Sequence, residues 1–312
     1  MTTPTPELRE IARGLKFPEG PIALPNGDVL LVEIARGTLS RVSPDGRVDV
    51  VAHTGGGPNG AAMGPDGRVY LCNNGGFEWV EMSGGRMRPA HQPHDYSGGR
   101  IERVDLATGR VEVLYTHGPN GPLRGPNDLV FDGHGGFWFT DLGKTRPRDL
   151  DYGAVYYARA DGSSIVEAVQ PMMTPNGIGL SPDGTKLYVA ETRAGRVWVW
   201  DVLGPGQLSR EPFPMPWGGR LLHQMASYRL FDSLAVDAAG NVCVASLMEG
   251  GITVVPPDGG EVGFVPMPDV YTTNLCFGGP DLRTAFVTLS TTGRLVAIDW
   301  PRPGAPLHHL NV

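Results

Sequence analysis

Six residues of this chain carry a side-chain oxygen at one shared position of a recurring sequence unit: Glu19, Asn59, Asn127, Asn176, Asp232 and Asn274. Glu19 and Asp232 can each hold a full negative charge, and the other four are amides. Neither Lys nor Arg occurs at the position. Gathered on one axis, these side chains would form a narrow ring of oxygen donors, the ligand type a hard divalent cation takes. Two carboxylates buried there without a cation would carry a heavy desolvation cost. Asn and Asp also open strands simply because they make good turns. A common register with Glu at one of the six is what turn chemistry does not predict, and it points to a metal site.

The elements that would position this ring are read from the repeat itself. Pro18-Glu19-Gly20, Pro58-Asn59-Gly60, Pro126-Asn127-Asp128, Pro175-Asn176-Gly177, Phe231-Asp232-Ser233 and Thr273-Asn274 each lead into a short apolar stretch, a turn and a second apolar stretch. That pattern is a hairpin. Gly follows the ring position by eight residues in five copies, at Gly27, Gly67, Gly135, Gly184 and Gly240; Leu282 breaks the rule in the sixth. A second hairpin alternates with the first, over 37–52, 99–115, 153–169, 195–208, 251–265 and 293–309. Six pairs of hairpins predict an all-β fold, a six-bladed β-propeller with four antiparallel strands per blade, occupying residues 1–312 as one domain. A two-sheet sandwich would not carry this register, and no linker-like stretch divides the chain. In a propeller the innermost strand lines the central channel, so the residue opening it faces the channel mouth.

Composition agrees and excludes other classes. Among 312 residues, 45 Gly and 29 Pro supply many tight turns, while 40% hydrophobic residues are enough for a core. The net charge is -7 with no basic stripe, which argues against a nucleic-acid partner. Only Lys16, Lys144 and Lys186 of the 26 basic residues are lysines, a bias read as genome composition. Cys72, Cys243 and Cys276 are scattered through apolar runs and suggest neither disulfides nor a thiolate site. Met1 to Leu15 lacks the apolar run of a secretory signal, and no run is long enough to span a membrane. A cytoplasmic protein with a small-molecule substrate is expected.

The chain resembles the family that groups senescence marker protein, gluconolactonase and luciferin-regenerating enzyme. The matching stretches are Glu19-Gly20-Pro21, Pro126 to Leu129, Phe137 to Asp141, Asn176-Gly177 with Ser181 to Gly184, Asp232 with Asp237 and Gly240-Asn241, and Thr273 to Leu275 with Phe277 to Asp281. They span nearly the whole chain. The resemblance implies a six-bladed propeller with one catalytic divalent metal. Its ligands fall on Glu19, Asn176, Asp232 and, in part of the family, Asn127. Calcium is expected first, with Mg, Mn, Zn or Fe as alternatives on an oxygen-rich site. Characterised relatives are mostly sugar lactonases, and a neighbouring group resembles diisopropyl fluorophosphatase. Two departures argue against a plain sugar lactone. Ile22 stands where lactonases often place an aromatic, and the stretch Gly75 to Gly99 is irregular, with Phe77, Trp79, Met82, Met87, His91, His94 and Tyr96.

The expected activity is metal-dependent hydrolysis of a lactone with an apolar or aromatic part. Organophosphate or aryl-ester hydrolysis on the same site is the first alternative, and a non-enzymatic ligand- or protein-binding propeller the second. A condensing enzyme like strictosidine synthase would leave the axial ligands absent or unused. A metal at the mouth would polarise a carbonyl and acidify water. Asp232 is expected to act as base or nucleophile besides being a ligand, since it would reach both water and substrate. Asn59, Asn274, Trp79, His94 and His223 are expected substrate contacts. Glu33 and Asp141, each 14 residues after a ring residue, are read as outer supports of the ligands or solvated strand ends. The stretches 75–99 and 213–230 are candidate lids. No HExxH spacing or Gly-x-Ser-x-Gly elbow occurs, which disfavours zinc-protease and serine-hydrolase chemistry.

Overall fold

A computed structural model describes residues 6–311; Met1–Thr5, part of the stretch read for a leader, and Val312 lie outside the described residues. Six antiparallel sheets of four main strands form the blades. Their inner strands are Pro18–Ala23, Pro58–Met63, Pro126–Phe131, Pro175–Leu180, Leu230–Val236 and Thr272–Gly278. Each packs against the inner strands of the blades before and after it, and the last meets the first, so the circle closes around a central channel. Among the described residues no helix is long and apolar enough to cross a membrane.

The second strand of each blade explains the continuous apolar runs of the sequence. Val29–Glu33 is buried along its full length, as are Val69–Asn73 and Val242–Leu247. Alternate side chains serve opposite faces: Leu31 joins the cluster shared with the sixth blade, while Leu30 and Val32 join the one shared with the second. A strand buried on both faces reads as an unbroken hydrophobic run. Six such clusters fill the six blade interfaces, the most aromatic holding Tyr70, Phe131, Phe137, Phe139 and Tyr156 between the second and third blades.

The conserved-register glycines have a geometric reason within this chain. Gly27, Gly67, Gly135, Gly184 and Gly240 all have left-handed backbones, with φ from 70° to 92°. Such a φ costs a non-glycine residue energy. The sixth copy keeps the turn with Leu282 at φ 56°, its N–H donating to the Gly279 carbonyl just as the Gly27 N–H donates to Leu24.

Three sequence expectations are corrected. The sixth blade does not take its outer strand from the C-terminal stretch within 293–309. After the strand Arg294–Asp299 come Pro301 and Pro303, which lack the N–H a ladder needs. Arg9–Arg13 supplies the outer strand instead, pairing Arg9 with Ala297 and Arg13 with Arg294, and so fastens the two ends of the circle. In the fourth blade the hairpin over 195–208 is only partial. Arg196–Gly204 pairs briefly with Gln207–Leu208, and its main outer partner is Arg220–Gln224. Part of the second candidate lid is therefore blade: Arg220–Gln224 is an outer strand and Trp217 packs edge-on to Trp198 at 4.8 Å.

Candidate active site

Every inner strand is irregular at its start. The pairing slips between Glu19 and Ile22, Pro58 and Ala61, Pro126 and Leu129, Pro175 and Ile178, Phe231 and Leu234, and Thr272 and Asn274. A bulge re-aims side chains and ends regular pairing, and here it recurs at the ring position of all six blades. The residue after the ring position is Gly at 20, 60 and 177. A Cβ there would come within 2.5 Å of Asn59 O, 2.6 Å of Asn127 O and 2.8 Å of Asp232 O respectively. The bulges of successive blades thus touch backbone to backbone, which keeps the ring narrow.

The chemistry of the ring is that of acceptors without donors. Glu19 is buried, and its Oε2 accepts from Gly20 N at 2.6 Å and Asn274 Nδ2 at 2.7 Å. Among the described residues its other oxygen, Oε1, has no partner, and neither has Asn127 Oδ1 or Asn176 Oδ1, although all three are buried. Such orphans are rare in folded proteins and call for an explanation. Asp232 is partly exposed at the mouth. Burial drives the Glu19 carboxyl well above its usual range, and the charges of Asp232 and Asp128 push the same way against the Asn274 and Gly20 donors. Burial also lifts Asp232 to about 7, with Asp128 adding to the rise and Asn176 opposing it. Asp128 itself is raised to about 7 by burial. Three carboxyls that resist ionisation, beside three unpaired acceptors, are what a divalent cation would relieve. Glu19, Asn127, Asn176 and Asp232 therefore fit the expected ion.

The remaining candidates scatter. Asn59 is buried in the ring, and among the described residues no side-chain hydrogen bond engages it. Asn274 is occupied: its amide donates to Glu19 and its Oδ1 accepts from Leu275 N at 2.7 Å. Trp79 packs at a tilt against Phe17, centroids 5.1 Å apart, and Phe17 meets Tyr271 edge-on at 5.9 Å, so an aromatic row flanks the mouth beside Glu19. His94 is exposed on the same long connection. His223 lies away from the ring, on the outer strand of the fourth blade opposite Val197, with Nε2 3.3 Å from Met225 Sδ.

Glu33 and Asp141 are neither ligand supports nor solvated. Each is buried and clamps the chain entering its own blade's inner strand. Glu33 accepts from Lys16 N at 2.7 Å, and Asp141 from Arg124 N and Gly125 N, both at 2.7 Å. Asn73 and Glu191 do the same for Gly57 N and Met173 N.

Sequence reasoning missed Phe17, Tyr271 and Arg88 at the mouth. Burial raises the Tyr271 phenol, the Arg88 guanidinium lowers it and Asp232 raises it. A cavity of about 230 Å³ lies on the axis behind the ring; it is mostly apolar, reaches Met63 and Phe131, and is lined at the C-terminal stretch by Leu307 and Leu310.

Comparison with known proteins agrees with this architecture. The family model described as SMP-30/Gluconolactonase/LRE-like region matches residues 17–291. A gluconolactonase of Zymomonas mobilis is 28% identical over 91% of this chain and 79% of its own. Lactonase drp35 of Staphylococcus saprophyticus is 29% identical over 85% of this chain and 74% of its own. The crystal structure of regucalcin, a calcium-binding protein of Agrobacterium tumefaciens, superposes with a TM-score of 0.75 at 19% identity, covering 98% of this chain and 100% of that one.

Proposed function

The chain belongs to the SMP-30/gluconolactonase/LRE-like family, and on that premise we propose that it opens small lactones with one divalent ion held by Glu19, Asn127, Asn176 and Asp232. The observation that carries the reading is the set of buried, donor-less oxygens on Glu19, Asn127 and Asn176 beside Asp232. Relatives named gluconolactonase and lactonase support hydrolysis as the reaction type. An all-oxygen donor set suits Ca²⁺ first, and Mg²⁺ or Mn²⁺ next.

Bound there, a divalent ion supplies Lewis-acid polarisation of an ester carbonyl and eases deprotonation of water. The chain's own residues do the rest. Asp232, the one partly exposed carboxylate of the set, takes a proton from the attacking water as the water oxygen bonds to the carbonyl carbon. It returns that proton to the ring oxygen as the carbon–oxygen bond of the lactone breaks. Glu19 cannot swing, because Gly20 N and Asn274 hold one of its oxygens, so it serves as a fixed ligand. Asn59, with its amide unengaged, is placed to hold a substrate oxygen. Phe17, Trp79 and Tyr271 offer an apolar wall to a substituent on the lactone.

The test is elemental analysis of the purified protein beside Glu19→Gln and Asp232→Asn, followed by a panel of lactones, aryl esters and an organophosphate. About one equivalent of ion in the parent, lost in Glu19→Gln, with lactone turnover, is the expected result. No ion after dialysis against divalent cations would sink the reading. Turnover of aryl esters or the organophosphate alone would move the substrate class while keeping the site.

A further inference from the structure

Lys144 is 2% exposed, which is unusual for a lysine, and it lies outside the ring. Its ammonium donates to Gly76 O at 2.6 Å, to Asn74 O at 3.0 Å and to Asn74 Oδ1 at 3.4 Å. It sits over the Phe77 ring at 4.1 Å and near the Tyr96 ring at 5.4 Å. No carboxylate bonds it among the described residues. Asp141 is spent on backbone N–H groups, and Asp151 on Arg146 and on the Lys144 N–H. Burial accordingly pulls the amine down to about 7, against the opposing pull of Asp141 and Asp151.

The cage is cut for an ammonium. Three donors meet three acceptors, and an aromatic face closes the rest. A planar guanidinium, a bulkier head with five donors, would leave donors unmatched in this enclosure. That explains a lysine in a chain that otherwise uses arginine for nearly all its basic residues.

What Lys144 grips is the root of the connection over 74–99. This connection carries a two-stranded hairpin, Trp79–Met82 with Arg86–Pro89, that pairs with no blade. An isolated hairpin is marginal in water, so its placement depends on its base. The base is held on both legs by one short segment. Lys144 holds the incoming leg at Asn74 and Gly76. Thr145 O accepts from Gln92 N at 2.8 Å on the outgoing leg, and Arg146 Nη1 reaches Gln92 Oε1 at 3.3 Å. Glu78 and His91 close the two legs onto each other. From that base Trp79 is delivered onto Phe17, two residues before Glu19.

We propose that Lys144 is a positioning residue that fixes the aromatic hairpin beside the mouth and thereby sets affinity for lactones carrying an apolar substituent. It rests on reading the mouth as the substrate entrance. The enclosed amine does not face the ring, so it takes no part in the chemical step.

The test compares the metal-loaded parent with Lys144→Met, which keeps the stem and removes the ammonium, with Trp79→Ala, and with the double variant. KM and kcat are measured on a lactone bearing a phenyl or alkyl substituent and on its unsubstituted parent ring. Hydrogen exchange is followed over 77–92 and over the inner strands. Lys144→Met is expected to raise KM for the substituted lactone roughly 10-fold, the low end for losing an apolar contact, with kcat within about 2-fold. The unsubstituted ring and the bound ion should be unaffected, and exchange should rise over 77–92 only. Trp79→Ala should give a similar KM rise, and the double variant should add little to either. If exchange rises while KM stays put, Lys144 is merely structural and the proposal is overturned. The same follows if kcat and ion content fall together. If Lys144→Met does not fold, a KM indifferent to Trp79→Ala overturns it instead. A parent that hydrolyses no ester removes the premise, a failure distinct from a lactonase indifferent to Lys144→Met.

Discussion

The ring and the hairpin beside it are two ways of placing side chains at one opening. Six short strands build the ring, each bulged at its start, and three of them touch the next through backbone at Gly20, Gly60 and Gly177. The hairpin comes from one long connection of the second blade, held by hydrogen bonds from a single loop of the third. The ring is rigid because the whole circle of blades fixes it. The hairpin is only as fixed as its base. On the function proposed above, the difference amounts to a division of labour: the repeated architecture would carry the ion and the proton transfer, and the unrepeated insertion the choice of substrate.

Changes at the ring should then act on chemistry and ion binding, and changes at the hairpin on KM. The largest effect is expected from Asp232→Asn. Loss of the base should lower kcat by about 10² to 10⁴. The melting temperature of the ion-free protein should not fall, since the substitution removes a carboxyl that burial disfavours. A kcat within a few-fold of the parent would assign the proton transfer elsewhere. Next comes Asn274→Ala, which frees the bound oxygen of Glu19. Removing a partner that orients a ligand should weaken the ion about 10- to 100-fold by titration calorimetry, with substrate preference unchanged. An unchanged ion affinity would mean the bulge alone holds Glu19. Smaller again is Trp79→Ala, expected to raise KM for apolar-substituted lactones about 10-fold at constant kcat. A fall in kcat there would blur the division between the two regions.

How much of this was legible in the sequence follows the same division. The six blades and the six ring residues could be read because each is written six times, and register across copies outweighs the ambiguity of any single Pro-Asn-Gly. The sixth blade's outer strand could not be read locally, because its partner Arg9–Arg13 lies at the opposite end of the chain. Glu33 and Asp141 stood out by spacing, but their partners are backbone N–H groups, which no side-chain pattern reveals. His223 drew attention as a chemically capable side chain, yet its strand runs on the outside of a blade. Lys144 did leave a signal, a rare lysine among arginines, but composition alone cannot tell a genome's bias from an ammonium-shaped cage. Phe17 and Tyr271 left none, because two elements distant in sequence bring them together.

The smallest effect is the pH dependence of stability in the ion-free protein, and it tests how far the ring carboxyls and the adjacent Asp128 carry the electrostatic cost. Burial raises Asp232 and Asp128 to about 7 in the folded chain, and Glu19 above its usual range, whereas an unfolded carboxyl titrates near 4. Below about 4 the proton is bound in both states, and these groups cost nothing. Between about 4 and 7 the folded chain holds protons that the unfolded chain has released, so stability falls as pH rises. The melting temperature of the ion-free protein should therefore drop across that window, and Asp232→Asn should flatten the drop. Saturating calcium should reverse its sign, since an ion that binds the ionised ring gains affinity as the protons leave. Lys144→Met should leave the slope from 4 to 7 nearly unchanged, because the folded amine releases its proton only near the top of that window and above it. A drop that survives Asp232→Asn in full, or that calcium leaves untouched, would place the buried charge outside the ring and remove the electrostatic argument for an ion there.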